Sequence, residues 1–235
     1  MIIKTNGFLE EYFEKAKKGE IIIGNELMME LEHLIEDMNG DEYDYDSTDA
    51  DLRIDFIENC VKLTKSPFYG KPMKLLLFQK AFISAVYSFK MKDGNDRFKK
   101  IILLIARKNG KSELCSALAL SSFILGNEGS DIVCSSNDDT QASIMYDAID
   151  LMRQMIDPND LDTKKNIRFI LNKTSNTKIF KLSDRTKNKE GRNIDFAIID
   201  ETHEMKDNVI GKSIEQSQSL KENPKFINIT TEGFV

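Results

Sequence analysis

The stretch Ile101-Ile-Leu-Leu-Ile-Ala-Arg-Lys-Asn-Gly-Lys-Ser112 runs from a short apolar segment into a Gly-Lys-Ser triplet, and an Ala- and Leu-rich helical pattern follows. A buried strand that passes into a helix through such a triplet has the layout of a phosphate-binding loop. Backbone N–H groups and the helix N-terminus cradle phosphate oxygens, a lysine reaches the outer phosphates, and a hydroxyl ligates a divalent cation. Lys111 and Ser112 are the candidates for the last two roles, with Lys108, Asn109 and Gly110 lending the loop its backbone. The full GxxxxGK[ST] pattern asks for glycine at position 105, where Ile105 stands. A bare triplet is common by chance, so a second motif has to carry the reading.

That motif is Asn193-Ile-Asp-Phe-Ala-Ile-Ile-Asp-Glu-Thr-His203, an apolar strand that ends in two adjacent carboxylates. Asp200 at the strand tip suits the hydration shell of Mg²⁺, and Glu201 is placed to orient and deprotonate an attacking water. Acidic strand ends are frequent in themselves. Downstream of a strand–Gly-Lys-Ser–helix unit, however, the pair predicts an enzyme that binds ATP with Mg²⁺ and hydrolyses it. His203 has no second histidine near it, so a polar residue packed beneath the metal site is expected there.

Working outward, short apolar runs alternate with helical patterns, which predicts an α/β fold with a mostly parallel sheet and crossover helices. Strands are expected at Ile101–Ile105, Ile132–Ser135, Phe196–Ile199 and Phe226–Thr230, buried on both faces. Helices are expected at 112–125, 139–156 and 208–220. Ala142, Met145, Ile149 and Met152 form the core stripe of the second of these helices. Ile167–Leu171 and Lys178–Leu182 flank the turn-forming run Asn172–Asn176 and predict a hairpin. Towards the N-terminus, helical spacing covers 8–18, 25–38 and 52–63, with a loop from Asp41 to Asp51. Ser66-Pro67 and Gly70-Lys71-Pro72 punctuate the chain, so residues 1–66 are read as a helical segment and 67–235 as the core.

Hydrophobic residues are 40% and charged residues 31% of the 235, as in a soluble globular protein. No apolar stretch is long enough to span a bilayer or serve as a signal peptide, so the chain reads as cytoplasmic. Cys60, Cys115 and Cys134 lack CxxC spacing and read as reduced thiols. The net charge of −6 speaks against nucleic acid, but it averages over strong asymmetry. Residues 20–59 hold fourteen Asp/Glu and one Arg, whereas 61–110 hold twelve Lys/Arg and two acids. Between Lys164 and Arg192 stand ten Lys/Arg against Asp184 and Glu190. Such clusters suit phosphate contacts, and equally suit a solvated face.

Here the chain resembles the ATPase domain of large terminase subunits, the DNA-packaging motors of tailed bacteriophages. The likeness runs over nearly the whole length. It starts with Tyr12-Phe-Glu-Lys-Ala-Lys-Lys-Gly-Glu-Ile21, continues through Ala50–Asn59 and Phe68-Tyr-Gly-Lys-Pro72, and is most specific at Ala106-Arg-Lys-Asn-Gly-Lys-Ser112. Such terminases accept a non-glycine first loop position and carry an arginine four residues before the lysine. Arg107 is therefore expected to contact or sense the γ-phosphate. The resemblance further implies that Gln79 reads the adenine edge and that Thr230 and Thr231 form a coupling motif that senses hydrolysis. Gln141, in Asp139-Thr-Gln-Ala142, is equally explained by capping and packing.

The implied fold is a RecA-like P-loop core of the ASCE type, with the N-terminal helices as a lid. The implied output is translocation of double-stranded DNA into a capsid, in an infected bacterial host cell. Portal protein, small terminase subunit and sister copies in a homo-oligomeric ring are the implied partners, and the isolated chain can be a monomer. An arginine supplied by a neighbour would neutralise charge on the γ-phosphoryl; Arg192 is the first candidate and Arg185 the second. The family's C-terminal nuclease domain has no counterpart in these residues. Two rival readings stay open: the motor domain of a DExH-type helicase, and an assembly protein that binds nucleotide without hydrolysing it.

Overall fold

Amphipathic spacing dictates the first elements. The computed structural model describes residues 7–106, 108–136, 139–182, 192–200 and 209–231, and its contacts divide them into two compact units. The first comprises Met1–Glu58 and Lys74–Phe98, the second Asn59–Met73 and Lys99–Val235. Sequence punctuation near residue 66 divides the chain differently. Pro and Gly there mark a tight hairpin and not a change of unit: Met73 N–H donates to the Val61 carbonyl (2.9 Å) and Leu63 N–H to that of Lys71 (2.9 Å).

In the first unit, α1 (Phe8–Lys17), α2 (Asn25–Asn39), β1 (Asp44–Tyr45), α3 (Thr48–Cys60), α4 (Leu77–Ser88) and β2 (Phe89–Lys90) follow in order. Leu9, Tyr12 and Phe13 of α1 meet Leu31 and Leu34 of α2 and Ala81 of α4 in one buried cluster. The acidic run expected to be a loop contains β1, which pairs antiparallel with β2. Tyr45 and Phe89 meet edge to face at 5.0 Å, an aromatic contact that two residues of periodicity cannot announce.

The second unit contains β3 (Lys100–Leu104), α5 (Lys111–Leu125), β4 (Asp131–Ser136), α6 (Asp139–Ile156), β5 (Thr163–Lys165), β6 (Ile170–Asn172), β7 (Lys178–Leu182), β8 (Ile194–Asp200), α7 (Val209–Ser217) and β9 (Lys225–Thr230). Its seven strands run in the order β3-β9-β8-β4-β7-β6-β5. The first five are mutually parallel, and β5 and β6 extend the sheet as an antiparallel meander. The α/β expectation and the hairpin at Asn172–Asn176 are both found. β5 had no apolar signal, since Thr163-Lys164-Lys165 pairs through its backbone.

Successive strand residues face opposite sides, and that rule assigns the helices. Ile210 and Ile214 of α7 pack with Val133, Ala197, Ile199 and Phe226, while Asp200, next to Ile199, meets α5 on the other side. α6 packs beside α5 on that same side. One expectation is corrected: β3 is not buried on both faces. It stands at the sheet's end, and Ile102 and Leu104 are 76% and 63% exposed, because no described element covers the outer face of an edge strand. Among the described residues no helix is long and apolar enough to cross a membrane.

After α6, one carboxylate organises the turn into β5. Asp157 accepts hydrogen bonds from the N–H groups of Leu161 (2.8 Å), Asp162 (3.0 Å) and Thr163 (2.8 Å) and from the Thr163 hydroxyl (2.8 Å). Desolvation opposes its charge, but these donors outweigh it and hold the carboxyl at about 2. A depressed folded pKa gives stability that is present above the unfolded value and lost as pH falls through the folded one. Asp157→Ala is therefore expected to lower Tm at neutral pH and to flatten the fall of Tm between about pH 4 and pH 2. Thermal melts across that range test it, and parallel wild-type and variant curves would exclude the role.

Candidate nucleotide site

Parallel strands bring their C-terminal ends to one edge of the sheet, and there β3 passes into a curled loop. Lys108 and Gly110 adopt positive φ of 67° and 75°. Gly110 suits that conformation because it lacks a Cβ; Lys108 holds it against the usual preference. Asn109 Nδ2 donates to the Ala106 carbonyl at 3.1 Å. The Ile105 N–H donates to the Thr230 carbonyl at 3.2 Å, so the end of β9 is tied directly to the start of the loop.

Lys111, the first residue of α5, points across the sheet edge to Asp200. Its Nζ lies 3.3 Å from Asp200 Oδ1, with the two side chains 11% and 16% exposed. Ser136 at the end of β4 donates its hydroxyl to the Asp200 carbonyl at 3.2 Å, fixing the tip of β8 from the other side. One turn into α5, burial pushes the Cys115 thiol well up; the charge of Asp200 acts in the same direction and that of Lys111 opposes it. Cys115 is thus a neutral thiol beneath the ion pair, as expected for a packing residue.

Among the described residues no group of three His, Cys, Asp or Glu could hold a metal. The donors beside Lys111 are hard oxygens, the hydroxyl of Ser112 and the carboxylate of Asp200. That set suits Mg²⁺, which keeps most of its waters and takes one or two protein oxygens beside phosphate.

Lys108, Asn109, Gly110, Lys111, Ser112, Asp200, Thr230 and Thr231 thus collect at one end of the sheet. Thr231 is buried, and the Thr230 hydroxyl donates to the Thr231 carbonyl at 3.2 Å. Gln79 belongs to the first unit, where its Oε1 accepts the Leu76 N–H at 2.9 Å and caps α4. Arg107, Arg185, Glu201 and His203 lie outside the described residues. Arg192 is not brought to this end. It precedes β8, at the opposite end of the strand from Asp200, with its guanidinium 4.0 Å over the Phe180 ring.

One contact escaped sequence reasoning. Glu113, two residues after Lys111, accepts the Thr64 hydroxyl at 2.6 Å, so the 61–73 hairpin is fastened to the first turn of α5. No spacing in the chain announces a pair 49 positions apart.

A strand, a curled loop and a helix whose lysine meets a carboxylate at the tip of a parallel strand two places along the sheet define a P-loop nucleotide-binding fold. Within that class, residues 77–235 match the family of the terminase large subunit, ATPase domain, and the chain belongs to it. It is 30% identical over 191 residues to the large terminase subunit of Enterobacteria phage HK97, a match covering 77% of this chain and 36% of that protein. The crystal structure of the HK97 large terminase superposes with a TM-score of 0.67 at 28% identity, over 77% of this chain and 37% of that one. The ATPase domain of the Thermus phage P74-26 large terminase matches over 58% of this chain and 61% of its own, with a TM-score of 0.49 and 20% identity. The chain spans little more than a third of the HK97 protein. The family and the HK97 relative are terminases, and they lend no support to a helicase or to a non-hydrolysing assembly protein.

Proposed function

We propose that this chain binds ATP with Mg²⁺ and hydrolyses it to drive double-stranded DNA into a viral capsid. The observation that supports the reading is the Lys111–Asp200 pair at the mouth of the loop: a cation that suits phosphate oxygens, beside a carboxylate that suits a hydrated metal. Lys111 would exchange part of its contact with Asp200 for the β- and γ-phosphate oxygens. The loop backbone at Lys108, Asn109 and Gly110 would donate N–H groups to the same phosphates. Ser112 and Asp200 would hold Mg²⁺, which supplies charge neutralisation between the phosphates. Glu201, the next residue after Asp200, would accept a proton from the attacking water, and Arg107 would contact the γ-phosphoryl.

Gln79 is proposed to read the adenine edge. Thr230 and Thr231 are proposed to relay the state of the site, a role supported by the hydrogen bond between Ile105 and Thr230. The helices of residues 1–66 would serve as a lid. Portal protein, small terminase subunit and sister copies in a ring are the proposed partners, with a neighbour's Arg192 or Arg185 completing the site. The seat of Arg192 on Phe180 favours Arg185 for that role.

Phosphate release tests the reading. Turnover is expected to require Mg²⁺, to stop on chelation, and to rise more steeply than linearly with protein concentration as copies complete one another's sites. Release that ignores chelation would overturn the metal assignment, and strict linearity would overturn the need for a neighbour.

A further inference from the structure

The β5–β6–β7 meander has two faces of different electrostatic character. On the α6 side the strand lysines are neutralised: Lys165 pairs with Asp147 and Asp150, and Lys181 with Asp139, while Lys173, in the turn after β6, donates to the Asp160 and Leu161 carbonyls. The opposite side follows from the register. Lys164 stands opposite Leu171, and Leu171 opposite Lys178, so the three side chains form one row across the strands. Phe180, two residues after Lys178, shares that face, and its ring meets Phe169 at 5.6 Å. Lys178 lies 5.8 Å over Phe169 and Arg192 4.0 Å over Phe180. Arg168, in the turn closed by the Asn166 N–H to the Phe169 carbonyl (2.8 Å), is exposed like Lys164.

Among the described residues none of Lys164, Arg168, Lys178 and Arg192 forms an ion pair. Asp131 stands opposite Lys178 on β4, and its charge acts on both Lys178 and Arg192, but it closes an ion pair with neither. The apolar members of this face, Leu171, Phe169 and Phe180, are half-buried, and Phe180 leans on the core cluster beneath α7, so what the face presents outward is its cations. The two rings carry cations over them, so they are not free to stack on bases as a single-strand site requires. Unpaired cations on a rigid sheet instead suit backbone phosphates, which position a duplex without reading its sequence.

We infer that this face of the meander, with Lys164, Arg168, Lys178 and Arg192, is a contact surface for the phosphate backbone of duplex DNA. It rests on the reading of the chain as a motor acting on DNA, and names where the duplex is held. The surface is remote from the hydrolytic residues along the strands, because Lys178 opens β7 and Arg192 precedes β8, whereas Asp200 closes β8.

The test is binding of a labelled DNA duplex, followed by fluorescence anisotropy from about 50 to 200 mM salt, where counterion release governs affinity. The Lys164→Ala/Lys178→Ala double variant is expected to bind about tenfold more weakly at the low end and to lose roughly two from the slope of log affinity against log salt. The Lys→Arg double variant should restore both. Unchanged affinity and slope would overturn the surface, as would an equal loss from Lys62→Ala/Lys71→Ala on the 61–73 hairpin, or no duplex binding by the wild type. Phosphate release without DNA, measured in parallel, should match wild type. Its absence in the wild type and the variants alike would defeat the ATPase reading while leaving the DNA result to stand by itself.

Discussion

Replacing Lys111 by alanine is expected to reduce phosphate release by roughly 10²–10³-fold, the scale seen when one preorganised donor to developing charge is removed. Lys111 joins the loop to the strand bearing Asp200, at 3.3 Å. In the proposed function its cation would have two tasks, attracting the phosphates of the ground state and stabilising the charge that builds during transfer. Affinity for nucleotide should therefore fall together with turnover. The ion pair with Asp200 is lost too, so Tm is expected to drop, and rates must be compared below the variant's melting range. Titration with a fluorescent nucleotide gives the affinity, and phosphate release gives the rate. A variant with wild-type values of both would remove Lys111, and with it the loop, from the site.

Glu201→Gln separates binding from chemistry. The amide keeps the shape of the carboxylate and can still hydrogen-bond a water, but it cannot take the proton. A positioned general base contributes about 10²–10⁴-fold, so release should fall by that factor while nucleotide affinity stays near wild type. The variant should accumulate uncleaved ATP where Lys111→Ala accumulates none. Joint loss of affinity and rate would point to a structural role for Glu201. Persistent turnover would mean that another group activates the water.

Local chemistry made much of this legible. The strands around Ile132 and Phe226 and the helix at 139–156 follow from period-2 and period-3.6 patterns that require no knowledge of partners, and the last appears with its expected bounds as α6. The hairpin turn at Asn172–Asn176 is likewise local, because turn residues act within four positions. Leu77–Ser88 escaped assignment as a helix. Of its twelve residues, seven are buried, so α4 carries little of the polar alternation that betrays a surface helix. β1 and β2, at two residues each, are too short to show any period.

The sequence by itself determined that a phosphate loop follows one apolar strand and that paired carboxylates end another. Both are properties of a few neighbouring residues whose chemistry does not depend on distant contacts. Only the tertiary structure decided that these two strand ends face each other across β9, that Thr64 fastens to Glu113, that Arg192 lies away from the loop, and that Lys164 and Lys178 share a face. Each of those depends on strand order and register. They are set by which surfaces bury one another over long separations, and no local pattern encodes that choice.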